Sequence, residues 1–152
     1  VESLREFESG TPQERWGLAA LREFTRSEAG FPATLSLCHR DFAPYNLLRD
    51  RRYRGSRQWG VLDFEHARVD APLVDVARAL LTFGPARGDF LRAYQPGVAE
   101  TQTAERVLPY LLLDLLQTLR WSKRHADAPR EVSALNDLEQ IVDCGAEVWI
   151  FG

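Results

Sequence analysis

The stretch LCHRDFAPYNLL, Leu37 to Leu48, decides how this chain is read. An apolar run leads into it and another leads out. Between them stand His39, then Asp41 two residues later, then Asn46 five residues after that. Loops between strands carry function because a rigid scaffold aims their side chains, and Pro44 stiffens this one. The runs TLSLC (34–38), NLLRD (46–50) and WGVLDF (59–64) are strand candidates. The last two are joined by RRYRGSRQ, whose Gly55-Ser56 pair is a turn signal, so they read as a hairpin. An antiparallel hairpin brings Asn46, at the start of its first strand, near Asp63, at the end of its second. Asp41, Asn46 and Asp63 then surround one point. Two carboxylates and an amide oxygen are hard donors of the kind magnesium prefers.

Such a set suits phosphoryl transfer. Asp63 and Asn46 are expected to hold magnesium against the phosphates of a nucleotide, where the ion offsets the charge spread over the transferred group. Asp41 is expected to accept the proton of a substrate hydroxyl and to orient that oxygen for in-line attack. His39 reads as a brace, its imidazole bonded to nearby backbone.

Outward from the loop the pattern is helical. TPQERWGLAALREFTRSEAG (11–30) begins with Thr11 as N-cap, Pro12 in the first turn and Glu14 closing a capping box. Trp16, Leu18, Ala19, Leu21 and Phe24 recur at roughly helical spacing, and Gly30 ends the segment. PLVDVARALLTFG (72–84) carries Leu73, Val76, Ala77, Leu80 and Leu81 on one face and stops at Gly84-Pro85. RGDFLRAYQPG (87–97) is a shorter helix. TAERVLPYLLLDLLQTLRWSKRHAD (103–127) is long and apolar, with Pro109 either starting its main body or kinking it. REVSALNDLEQIVDCGAEVWIF (130–151) closes the chain within the helical part. The fold class is α+β, mostly helical, a single domain over 1–152 with a small β element at one end.

Composition narrows the function classes. The chain has 152 residues, is 45% hydrophobic and 27% charged, and carries a net charge of −3. A charge that small provides no field to favour nucleic acid or an anionic membrane. Cys38 and Cys144 stand far apart with no CxxC, which argues against a disulfide framework or a zinc site and points to a reducing, cytoplasmic setting. No apolar run reaches transmembrane length and no basic-then-apolar leader opens the chain. The chain starts at Val1 and contains no methionine; it reads as lacking its native beginning, although N-terminal processing also explains this.

HRDFAPYN resembles the H-x-D-x-x-x-x-N catalytic loop of the protein-kinase-like fold. VLDFEHARVDAPLVDVARAL is similar to the metal-binding segment of the aminoglycoside phosphotransferase and choline kinase group. There an aspartate after an apolar strand is followed by a short loop, an Asp-Pro-like turn and a helix opening with another aspartate; here these are Asp63, Asp70 with Pro72, and Asp75. The resemblance spans about Leu35 to Leu81. It implies that Asp41 is the catalytic base, that Asn46 and Asp63 are magnesium ligands, and that His39 and Asp75 are structural. It implies ATP or GTP as donor and a small molecule bearing a hydroxyl, aminoglycoside-like or otherwise cationic, as acceptor. Glu65, Asp70 and Asp114 are the acidic candidates for that acceptor. Asp114 leads them, because a charge inside LPYLLLDLLQTL needs a partner or a pocket.

Departures are equally visible. Ala43 stands two residues after Asp41, where protein kinases have lysine and many small-molecule kinases histidine or serine. Glu65 stands where DFG has glycine, which favours the small-molecule group, and the hairpin is longer than the family's. No GxGxxG occurs and the single lysine, Lys123, lies late in a helix. The chain therefore reads as the C-terminal lobe alone, its partner the missing nucleotide-binding lobe. Two rivals stand beside this: a non-catalytic kinase-like binding module, and an interaction module that works as a lone lobe.

Other features have plainer readings. The arginine cluster RDRRYRGSR is expected to be a solvated hairpin tip. Arg40 needs no ion pair in this group. Tyr110, Trp121 and Trp149 are expected in the core, although a cage for a quaternary ammonium is the alternative. Both cysteines are expected to be buried, and Asp70 and Asp75 to be turn and N-cap residues.

Overall fold

The computed structural model describes residues 7–26, 34–49 and 59–152. Its helices are α1 (Pro12–Arg26), α2 (Leu73–Thr82), α3 (Arg87–Tyr94), α4 (Glu100–His125), α5 (Ala128–Cys144) and α6 (Ala146–Phe151). Its strands are β1 (Ser36–Cys38), β2 (Leu47–Arg49), β3 (Trp59–Val61) and β4 (Arg68–Asp70). The arginine-rich linker 50–58 and the Gly30 stop lie outside the described residues.

The core forms around α4. At 26 residues it is about 39 Å long, and it buries Val107, Leu111, Leu112, Leu115, Leu116 and Leu119. α1, α2, α5 and α6 pack around it, each presenting the apolar stripe that helical periodicity gives it. Pro109 is buried inside α4, which begins well before it, at Glu100. It neither starts the helix body nor ends a segment.

α1 shows its capping box in full. Thr11 Oγ1 accepts from the Glu14 amide at 3.2 Å, and Glu14 Oε2 accepts from the Thr11 amide at 2.7 Å. Glu14 is fully buried, and its other oxygen pairs with the ammonium of Lys123 on α4. A buried carboxylate needs such a partner, so the chain's one lysine ties α1 to α4. A Cβ at Gly17 would stand 3.4 Å from Leu138 of α5, at the near edge of ordinary van der Waals contact.

The β element differs from the sequence reading. β2 and β3 form the expected antiparallel pair, with Leu47 opposite Val61 and Arg49 opposite Trp59. β1 pairs instead with β4, Ser36 opposite Asp70 and Cys38 opposite Arg68, in a separate two-stranded sheet. β4 has a single apolar residue, Val69, too little for a period-2 signal. The closing segment forms two helices, α5 and α6. Gly145, at φ +83°, ends α5 and turns the chain into α6, where Trp149 and Ile150 are buried.

Three further readings are corrected. Cys38 is buried, but Cys144 is exposed because the last turn of α5 points it to solvent. Trp121 is 43% exposed, stacked on His125 at 4.3 Å between ring centres. Asp75 lies inside the first turn of α2, and Pro72 stands at the N-cap without a side-chain cap. Among the described residues no helix is long and apolar enough to cross a membrane.

Leu116 is completely buried in this core. Leu116→Ala is expected to lower stability by about 2–5 kcal/mol, read as a fall in the urea midpoint. Val132→Ala, on the exposed face of α5, should stay within about 0.5 kcal/mol of wild type in the same titration.

Candidate active site

The loop after β1 hangs from α2. Asp75 Oδ2 accepts from the His39 amide at 2.7 Å and its Oδ1 from the Arg40 amide at 2.6 Å. Arg40 has φ +72°, in the left-handed region that non-glycine residues rarely enter. The two charge-assisted bonds from Asp75 hold the backbone there. Arg40 is an ion-pair residue after all. Its guanidinium reaches Asp70, at the end of β4, at 2.7 Å.

His39 is almost fully buried and joins the two arms of the site. Its Nδ1 accepts from the Asp41 amide at 3.3 Å, and its Nε2 lies 2.7 Å from the Leu62 carbonyl. That pattern places the hydrogen on Nε2. The ring also packs edge-on against Phe64, 4.6 Å between centres.

Asp41 is the hub. Its Oδ1 accepts from Tyr45 Oη at 2.7 Å and from Arg78 Nε at 3.0 Å, with Arg78 Nη2 in ion-pair contact at 2.9 Å. Its Oδ2 accepts from Asn46 Nδ2 at 3.1 Å, and the same amide nitrogen donates to the Asp41 carbonyl at 2.9 Å. Burial alone would raise the carboxyl's pKa. The hydrogen bonds from Tyr45 and Arg78 outweigh it and hold the group below its ordinary value. Asn46, buried in the 3-10 turn Pro44–Asn46, has both its amide hydrogens directed at Asp41. Its side-chain oxygen Oδ1 is the atom left for other work.

Asp63 comes beside Asn46 through the backbone. The Leu62 amide donates to the Asn46 carbonyl at 2.9 Å, one step beyond the Leu47–Val61 pair. β3 ends at Val61, and Asp63 turns the chain at φ +63° with its side chain exposed. Among the described residues no three His, Cys, Asp or Glu side chains gather in a metal-binding cluster.

A cavity of about 840 Å³ opens beside Asp41. Glu65 and Asp114 line it with Arg78, Tyr110 and Trp121. Asp114 has both a partner and a pocket: Arg78 Nη1 lies 3.5 Å from its Oδ2. Burial pushes the Asp114 carboxyl above its ordinary pKa, and Arg78 pulls it only part of the way back. Asp70 stands apart from the lining, held by Arg40 and by Arg68 at 3.5 Å and accepting from the Ala71 amide at 2.8 Å. Two contributors escaped the sequence reading, Tyr45 and Arg78. Arg78 left a signal, since an arginine amid the apolar residues of α2 and an aspartate amid those of α4 are a natural ion pair.

The model of the phosphotransferase enzyme family matches residues 4–110. The chain belongs to that family. No curated protein and no solved structure matches it. The phosphotransferase family match covers the loop, both small sheets, α2 and the first part of α4, so the Asp41 hub and Asp114's pocket adjoin wholly within or just beyond it.

Asp75→Ala removes the acceptor of two amides. The expected loss is about 3 kcal/mol in urea unfolding, with faster hydrogen exchange at the His39 and Arg40 amides. Asp75→Asn keeps one good acceptor and should lose roughly half as much.

Proposed function

We propose that this phosphotransferase moves the γ-phosphate of ATP or GTP to a hydroxyl of a small molecule, with Asp41 receiving the hydroxyl proton. The observation that carries the reading is the carboxylate of Asp41, bonded to Asn46 and paired with Arg78, among the residues that line the 840 Å³ cavity. The acceptor lies in the cavity with its hydroxyl on Asp41 Oδ2. Its oxygen attacks the γ-phosphorus in line, the bond from phosphorus to the β–γ bridging oxygen breaks, and the proton passes to Asp41. A carboxylate held below its ordinary pKa is a weak base, so Asp41 acts chiefly by orienting the nucleophile, with proton transfer late in a loose transition state.

Magnesium fits the oxygens present. Asn46 would offer its side-chain oxygen, and Asp63 follows Leu62, whose amide donates to the Asn46 backbone carbonyl. Few protein donors suit an ion that keeps waters and takes phosphate oxygens for the rest of its octahedron. When bound, the ion would neutralise charge on the phosphates. Glu65 and Asp114 would face cationic groups of the acceptor, and Asp70 would support Arg40 from behind.

A nucleotide-binding lobe is the proposed partner. Leu48, Trp59, Leu62 and Phe64, beside Asn46 and Asp63, are all exposed. Such residues together mark a surface that something covers, and the sequence has no glycine-rich phosphate loop of its own. A non-catalytic binding module would have no need of a carboxylate aimed into the cavity, which sets this reading above it.

Asp41→Asn, assayed together with the nucleotide-binding lobe, should lower kcat by about 10²–10⁴ and leave nucleotide affinity unchanged; unaltered phosphorylation would rule out the role of Asp41. The chain by itself should bind ATP with magnesium more weakly than about 1 μM in calorimetry. Tighter binding would remove the need for a second lobe.

A further inference from the structure

Resting on the phosphotransfer reading, we propose that Arg78 is the positioning residue that aims Asp41: its guanidinium occupies one carboxylate oxygen and leaves the other to face the acceptor hydroxyl. Arg78 lies on α2 one turn beyond Asp75, so one helix sets both the backbone of the loop and the orientation of its carboxylate. Its Nε and Nη2 fork onto Asp41 Oδ1 at 3.0 and 2.9 Å, where Tyr45 Oη also donates at 2.7 Å. The hydrogen bonds from Tyr45 Oη and Arg78 Nε fill the two lone pairs of that oxygen, so it has no capacity for a substrate. Oδ2 has one described donor, Asn46. The rest of the guanidinium reaches Asp114 across the cavity wall at 3.5 Å, and Nη2 lies 3.5 Å from Tyr45 Oη. The planar fork fixes rotation of the carboxylate in a way a lysine ammonium does not.

Arg78 acts through Asp41, which makes its contribution non-additive. ADP formation from ATP and magnesium, with water as the acceptor, is the probe for the intact protein. Arg78→Met should lower kcat about 10–100-fold with KM for ATP within about twofold of wild type, a loss of orientation rather than of binding. Arg78→Lys should recover part of that kcat. In an Asp41→Asn background, Arg78→Met should cost nothing more; multiplicative losses would overturn the proposal. A second measurement does not depend on turnover. The Arg78 Nε–H resonance, assigned by its absence in Arg78→Lys, should be protected from exchange in wild type and lose protection in Asp41→Asn. An unaffected resonance overturns the proposal even if the variants turn over slowly. Wild-type protein that leaves ATP unconsumed while that resonance responds sinks the phosphotransfer reading and retains the clamp.

Discussion

The carboxylate of Asp75, set between the amides of His39 and Arg40, is the contact on which the site depends. α2 is fixed against α4 by Val76, Ala77 and Leu80. Asp75 transfers that fixity to a loop with almost no regular structure of its own. His39 then carries it across to the Leu62 carbonyl, so the segment bearing Asp63 is tied to the segment bearing Asp41. The helical core determines where the loop is, and the loop determines where the chemistry is. The two small sheets mainly supply register.

Charge in the site alternates in short chains. Asp114, Arg78 and Asp41 form one, and Arg40 lies between the loop and Asp70 in another, with Arg68 on the far side. Half-buried charges are tolerable when each has a partner at hydrogen-bonding distance. Arginine suits the task because its donors lie in a plane and can serve two acceptors at once. The same pairing explains why Asp41 and Asp114 depart in opposite directions from ordinary carboxylate behaviour while sharing one cation. Asp41 has two close guanidinium nitrogens from it, at 3.0 and 2.9 Å, and Asp114 only a long contact in a drier setting.

Much of this was readable before any coordinates. The β2–β3 hairpin, the capping box of α1 and the amphipathic face of α2 all follow local rules, so sequence sufficed. What was missed depends on tertiary neighbours. β4 is three residues long and owes its strand form to β1. Gly145 breaks the last helix only because its backbone takes a left-handed turn. The ion pair of Arg40 joins residues 30 apart in the chain, and the exposure of Cys144 and Trp121 comes through the way α4 and α5 turn their faces. Arg78 was overlooked because periodicity sorts residues by face and is silent on charges that meet between two helices.

Arg40 and Asp63 share a backbone feature that bears on how the site can change. Both stand in left-handed conformations, at φ +72° and +63°, on either side of the Asn46 turn. Glycine would follow either path without strain but would bring no side chain. A β-branched residue would bring a side chain and refuse the path. Evolution of this loop is thereby confined to a narrow alphabet at its two corners, and new acceptor preferences would have to be sought on the helical wall of the cavity, where the backbone imposes no such restriction.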